Sequence, residues 1–263
     1  MAASIFGASK VVDCSHVLDG ASFSFMSLFT EPARFEEEKV FTVAADGFAK
    51  SRYTMNCDLG AHLDSPAHFV AGGKTISDLS ADDLTARAAV IDVSDKVDAQ
   101  DDGNYGLTID DVKEYEAKHG QIPERTLIIM KTGWDANYGT PKYENYNAST
   151  EKYYFPGFMP DTAEWLVTER KIVGIGIDTP SGDIGTSSDY KAHFHILGAG
   201  LYILENLTLT EVPEGPDNVF ISAPIYVKDA PETSVRVMAI VGYSAGTYIL
   251  TACSALIATM LAF

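Results

Sequence analysis

Short apolar, β-branched runs separated by polar turns carry most of the pattern in the middle of this chain. Residues 88–93 (AAVIDV), 126–130 (TLIIM) and 172–177 (IVGIGI) predict buried strands. Residues 160–170 (PDTAEWLVTER) predict a helix, with Pro160 near its start and Ala163, Leu166 and Val167 on one face. That helix feeds directly into the 172–177 strand, which argues for a helix packed on a parallel sheet. Further β runs occupy residues 200–204, 219–225 and 235–241. With no internal repeat and no low-complexity linker, residues 1–241 parse as one α/β domain, followed by an apolar tail over 242–263.

Composition narrows the class. Apolar residues are 46% and charged residues 21% of 263, an ordinary globular balance. The 37 acidic against 19 basic residues give a formal charge of −18, which repels phosphate backbones and argues against a nucleic-acid partner. Cys14, Cys57 and Cys253 lie far apart with no CxxC pair, so neither a disulfide framework nor a zinc ribbon is expected. The first residues do not read as a secretory signal peptide. The stretch from Val237 onward has no charged residue. Residues 242–263 match the roughly 20 residues that a spanning helix requires. Two readings of the tail stand: a membrane anchor, or a helix packed on the domain. The location is correspondingly membrane-attached or cytoplasmic.

The most informative stretch runs from Asp58 to His68 (DLGAHLDSPAH). As a strand, period two places Asp58, Gly60, His62 and Asp64 on one face and Leu59, Ala61 and Leu63 on the other. A helix would set His62 and Asp64 about 200° apart, and Gly60 and Pro66 both oppose it. Gly60, lacking a side chain, would leave space between Asp58 and His62 for an ion or substrate. Mixed carboxylate and imidazole donors suit Zn²⁺, Mn²⁺ or Fe²⁺. A second cluster follows at His193-Phe194-His195, with Glu205 at the end of an apolar run, where an ionised carboxylate is costly unless paired or on a metal. His193 and Glu205 are therefore the remaining ligand candidates. His119, before Gly120, reads as a solvated residue at a helix C-terminus. His195 reads as a packing residue.

These residues resemble the cyclase-type metal-dependent hydrolases, a family that includes bacterial kynurenine formamidase and isatin hydrolase. The family motif H-x-G-T-H-x-D-x-P-x-H is matched here at Gly60, His62, Asp64, Pro66 and His68, with Asp58 in place of the first histidine. The similarity extends over about residues 11–239 and takes in KTGW (131–134), FPGF (155–158), GIGIDTPSGD (174–183) and the His193/Glu205 spacing. It implies a layered β/β/α sandwich with a mixed sheet and a metal site of Asp58, His62, Asp64, His193 and Glu205. It also implies His68 as the acid/base residue, Mn²⁺ or Zn²⁺ as cofactor, and a homo-oligomer. The implied activity is hydrolysis of a small cyclic or aryl amide, N-formylkynurenine-like or isatin-like. Phe155 and Phe158 read equally as holders of a flat aryl substrate or as core residues. The replacement at position 58 leaves a second reading open, a catalytically impaired ligand- or metal-binding relative attached to a membrane by its tail.

Overall fold

The computed structural model describes residues 10–25 and 35–242. Eight strands form one mixed sheet: β1 (Lys10–Asp13), β2 (His62–Asp64), β3 (Thr85–Asp92), β4 (Leu127–Lys131), β5 (Gly174–Ile177), β6 (Tyr202–Glu205), β7 (Gly215–Pro224) and β8 (Glu232–Val241). Their order in space is β1-β8-β7-β3-β4-β5-β6-β2, and β2 also pairs with the start of β8, so the sheet closes on itself. Strands β3 to β6 run parallel, and the remaining pairs are antiparallel. Each apolar run singled out in the sequence is, to within a few residues at its ends, one of these strands.

Closure explains why the central strands are apolar without alternation: both of their faces are buried. Ala88, Val90, Leu127, Ile129 and Leu204 belong to the core enclosed by the sheet, together with Phe220, Val237 and Ala239 from the antiparallel side. Their neighbours Ala89, Ile91, Ile128, Met130 and Ile203 face a second core outside the sheet. Helix α1 (Ile109–His119) covers that outer face with Val112 and Tyr115, and its N-terminus is closed by a capping box between Thr108 and Asp111. The predicted 160–170 helix is α2 (Pro160–Trp165) continued by a π-helical turn over Leu166–Arg170, and Ala163 and Leu166 are buried in the outer core as expected. A third helix, α3 (Lys191–Gly198), packs against α2, β6 and the short helical turn over Pro66–His68.

The strand expected over residues 58–64 is shorter than its pattern. Only His62–Asp64 is extended, and residues 58–60 form a turn. Gly60 sits at φ +63°, a left-handed conformation that favours glycine, and a Cβ there would meet Leu18 at 2.5 Å. The glycine therefore serves the turn and the approach of Leu18, rather than opening space for an ion. The tail over 242–263 lies, apart from Gly242, outside the described residues. Among the described residues no helix is long and apolar enough to cross a membrane.

Candidate metal centre

Three adjacent strands and one helix deliver the polar cluster. Antiparallel register puts Glu205 of β6 directly across from His62 of β2, and Glu232 of β8 directly across from Asp64. Residues so paired share a face with Cβ atoms only about 4.5–5.5 Å apart. Ala61 and Leu63, on the opposite face, are packed in the enclosed core and anchor the strand. Helix α3 brings His193 down onto the same point.

The resulting geometry is reciprocal. His62 Nε2 lies 3.2 Å from Glu205 Oε2 and 3.7 Å from Asp64 Oδ1. His193 Nε2 lies 3.1 Å from Glu205 Oε1 and 3.5 Å from Asp64 Oδ2. Each carboxylate thus offers one oxygen to each imidazole. Both rings are turned inward from behind: Gly60 O sits 3.0 Å from His62 Nδ1, and Asp183 Oδ2 sits 2.5 Å from His193 Nδ1. Such partners select the tautomer that leaves Nε2 free as a donor to a metal. Asp183 also accepts hydrogen bonds from the backbone amides of Ala192 and His193, which fastens the first turn of α3. The Gly182 amide donates to Glu205 Oε1 at 2.7 Å.

Electrostatics and unmet bonding both fit a divalent cation. Burial alone would depress the His62 imidazole, but the Glu205 hydrogen bond and the Asp64 charge outweigh it and raise the group to about 10. The same contest holds His193 well above the ordinary imidazole range, with Asp183, Asp64 and Glu205 overcoming its burial. Burial would raise Glu205, yet the two imidazoles hold it well below the usual carboxylate range. The buried carboxylates thus favour positive charge at this point, which a divalent cation supplies. Asp64 Oδ1 is buried without a hydrogen-bond partner, an expense that a coordinated ion removes. Two sets of donor atoms, each within 4.8 Å of one another, satisfy the requirement: Asp64, His193 and Glu205, and His62, Asp64 and Glu232.

Of the expected ligands, His62, Asp64, His193 and Glu205 come together. Asp58 lines the same cavity at 3% exposure but belongs to neither donor set. Its position in the turn rather than on β2 sets it apart, and the Ser24 hydroxyl donates to its Oδ1 at 2.6 Å. His68 stands at the cavity wall, its side chain 30% exposed. The cavity holds about 330 Å³, and its aromatic walls are Phe25, Phe69 and Tyr190. Phe155 and Phe158, candidates for holding an aryl group, are instead buried in the outer core and do not line it. The FPGF segment lies against the loop carrying Asp183: Phe158 N donates to Gly182 O, Gly185 N donates to Phe155 O, and a Cβ on Gly157 would meet the Asp183 carbonyl carbon at 2.3 Å. KTGW is structural in the same way, its Thr132 and Gly133 amides bonding the buried Asp178 of GIGIDTPSGD. Sequence reading missed Glu232, Asp183 and the three wall aromatics. Asp183 sits inside a segment already noted and Phe69 directly follows the motif ending at His68, whereas Glu232 gives no local signal and emerges only from strand register.

A closed mixed sheet with imidazoles and carboxylates gathered on one outer face defines the architecture and donor set of a metal-dependent hydrolase. The putative cyclase family model matches residues 12–184, and the chain belongs to that family. It is 30% identical over 250 residues to isatin hydrolase of Roseibium aggregatum, covering 89% of this chain and 93% of that one. It is 31% identical over 189 residues to kynurenine formamidase of Bacillus thuringiensis, covering 70% and 77% respectively. Isatin hydrolase A from Labrenzia aggregata, solved with benzyl benzoate bound, superposes with a TM-score of 0.82 at 29% identity over 89% of this chain and 94% of that one.

Proposed function

We propose that this protein is a metal-dependent hydrolase of a small aryl amide, with an isatin-like cyclic amide as the favoured substrate and an N-formylkynurenine-like aryl formamide as the second. The observation that carries the reading is the reciprocal cluster of His62, His193, Asp64 and Glu205 around the unpartnered Asp64 Oδ1, at the base of an aromatic-walled cavity. Coverage of nearly the whole chain by similarity to isatin hydrolase supports the cyclic amide over the open formamide. Mn²⁺ or Zn²⁺ suits the mixed donors, and such an ion, when bound, acts as a Lewis acid and lowers the pKa of water towards neutrality.

The chain's own groups account for the rest. His62, Asp64, His193 and Glu205 hold the ion, with Asp58 of the same cavity wall as a further candidate. Gly60 O and Asp183 keep the two imidazoles aimed. Phe25, Phe69 and Tyr190 offer flat apolar surface to an aryl ring and exclude bulk water around it. His68, at the same wall and partly open to solvent, takes a proton from the attacking water or delivers one to the leaving nitrogen. A spectrophotometric screen of isatins, aryl formamides and lactones with added Mn²⁺ or Zn²⁺ tests the reading. Turnover of at least one amide, abolished by chelation and by His62→Ala, is the expected result, and full activity in metal-free protein would end it.

A further inference from the structure

We propose that Glu232 is a metal ligand, completing with His62 and Asp64 a donor set that adjoins the one formed by Asp64, His193 and Glu205. This rests on the metal-dependent reading above, and it adds a residue from a strand beyond the part of the chain that the family model matches. The first observation is register. Glu232 lies directly across the antiparallel β8–β2 pair from Asp64, and like charges directly opposed on neighbouring strands repel. Burial deepens the conflict, since the Asp64 and Glu232 side chains are only 1% and 14% exposed and solvent screens such a pair poorly. Among the described residues, the cavity wall contains four carboxylates, Asp58, Asp64, Glu205 and Glu232, and three imidazoles, but no lysine or arginine. A cation between Glu232 and Asp64 turns the repulsion into a shared attraction.

The second observation is independent of charge. Asp64 directs Oδ2 towards His193 and Oδ1 towards His62, and it is Oδ1, the oxygen nearer to His62 of the Glu232 donor set, that lacks any hydrogen-bond partner. Donor atoms of His62, Asp64 and Glu232 all lie within 4.8 Å of one another, the spread expected of ligands converging on one ion. Glu232 is also held for the task. The Cys57 thiol donates to Oε1 at 3.1 Å, which fixes the carboxylate plane. The nearest approach of Oε2 to His68 Nδ1 is 3.6 Å, too long for a hydrogen bond, so orienting His68 does not account for the placement.

The test uses the full chain stripped with a chelator and titrated with Mn²⁺ by calorimetry, beside the visible absorption spectrum of the Co²⁺-loaded protein. Glu232→Gln preserves volume and the acceptor for Cys57. It is expected to lose more than the ~100-fold in Mn²⁺ affinity that removing a mere supporting partner costs at most, and to shift the Co²⁺ bands. A folded variant with a smaller loss and an unchanged Co²⁺ spectrum overturns the proposal and leaves Glu232 a supporting residue. Should Glu232→Gln fail to fold, Glu232→Ala is judged by the same two readouts. If the parent protein binds neither Mn²⁺ nor Zn²⁺, the metal-dependent reading falls first, a result distinct from tight binding that survives the loss of Glu232.

Discussion

His68 differs from the other two cavity histidines in the property that proton transfer needs. Its side chain is 30% exposed, while those of His62 and His193 are 2% and 5% exposed and are locked by partners on both ring nitrogens. A ring with access to both solvent and substrate can exchange protons during turnover, which a buried, oriented ligand cannot. His68→Ala is therefore expected to keep its metal content and lose ~10²–10⁴-fold in kcat. Elemental analysis beside steady-state kinetics checks this, and departure of the metal would reassign the residue as a ligand. Position 58 is the other residue to probe. Its carboxylate faces the same cavity at 3% exposure, so Asp58→His is expected to retain activity while shifting preference from Mn²⁺ towards Zn²⁺, imidazole being the softer donor. Competition between the two ions reads the shift, and an unchanged profile with an unchanged rate places Asp58 outside the coordination sphere. His62 and Asp64 were legible in the sequence because period two is a local rule. Glu232 was not, because its meaning depends on a strand pairing 168 positions away in the chain, as the Glu232–Asp64 register shows.

At the scale of elements, what positions the chemistry is the packing of loops behind it. Asp183 aims His193 and fastens α3, and the loop bearing Asp183 rests on the backbone of Gly157. There is no room for a Cβ at Gly157, since the atoms it would meet, the Asp183 carbonyl carbon and Ile184 nitrogen at 2.3 Å, are backbone and cannot rotate aside. Gly157→Ala is expected to displace that loop, cost about 1–3 kcal/mol of stability as overpacking does, and weaken metal binding although residue 157 touches no ligand. Thermal melting and Mn²⁺ titration together check it; unaltered affinity would show that Asp183 does not depend on this contact. The same packing bears on the two readings of Phe155 and Phe158. Phe155 and Phe158 flank that glycine in an irregular segment, where no periodicity tells a core face from a cavity face, and the fold turns both rings into the outer core. The long apolar strands carried no such ambiguity, being buried on both sides. The strand assigned to residues 58–64 failed at its first half because alternation continued through a turn whose glycine required φ > 0.

At the scale of the whole molecule, the residues that build the site come from the middle of the sequence. Among the described residues, every cavity residue falls between Phe25 and Glu232, and the last strand, β8, runs to Val241, with both β7 and β1 paired to its final residues. Among the described residues, the enclosed core takes its apolar side chains from residues 12–241. A chain ending at Val241 is accordingly expected to fold, to bind metal and to hydrolyse its substrate with the kcat/KM of the full-length protein. Circular dichroism, melting temperature and kinetics on the truncated chain measure this. Detergent-phase partitioning of the two forms then separates the readings of the tail. Full-length protein in the detergent phase with the truncated form in the aqueous phase assigns residues 242–263 to membrane attachment, consistent with the length a spanning helix requires. A truncated chain that fails to fold refutes the prediction and makes the tail a packed element of the domain, because an apolar segment whose removal exposes core surface is contributing burial rather than an anchor.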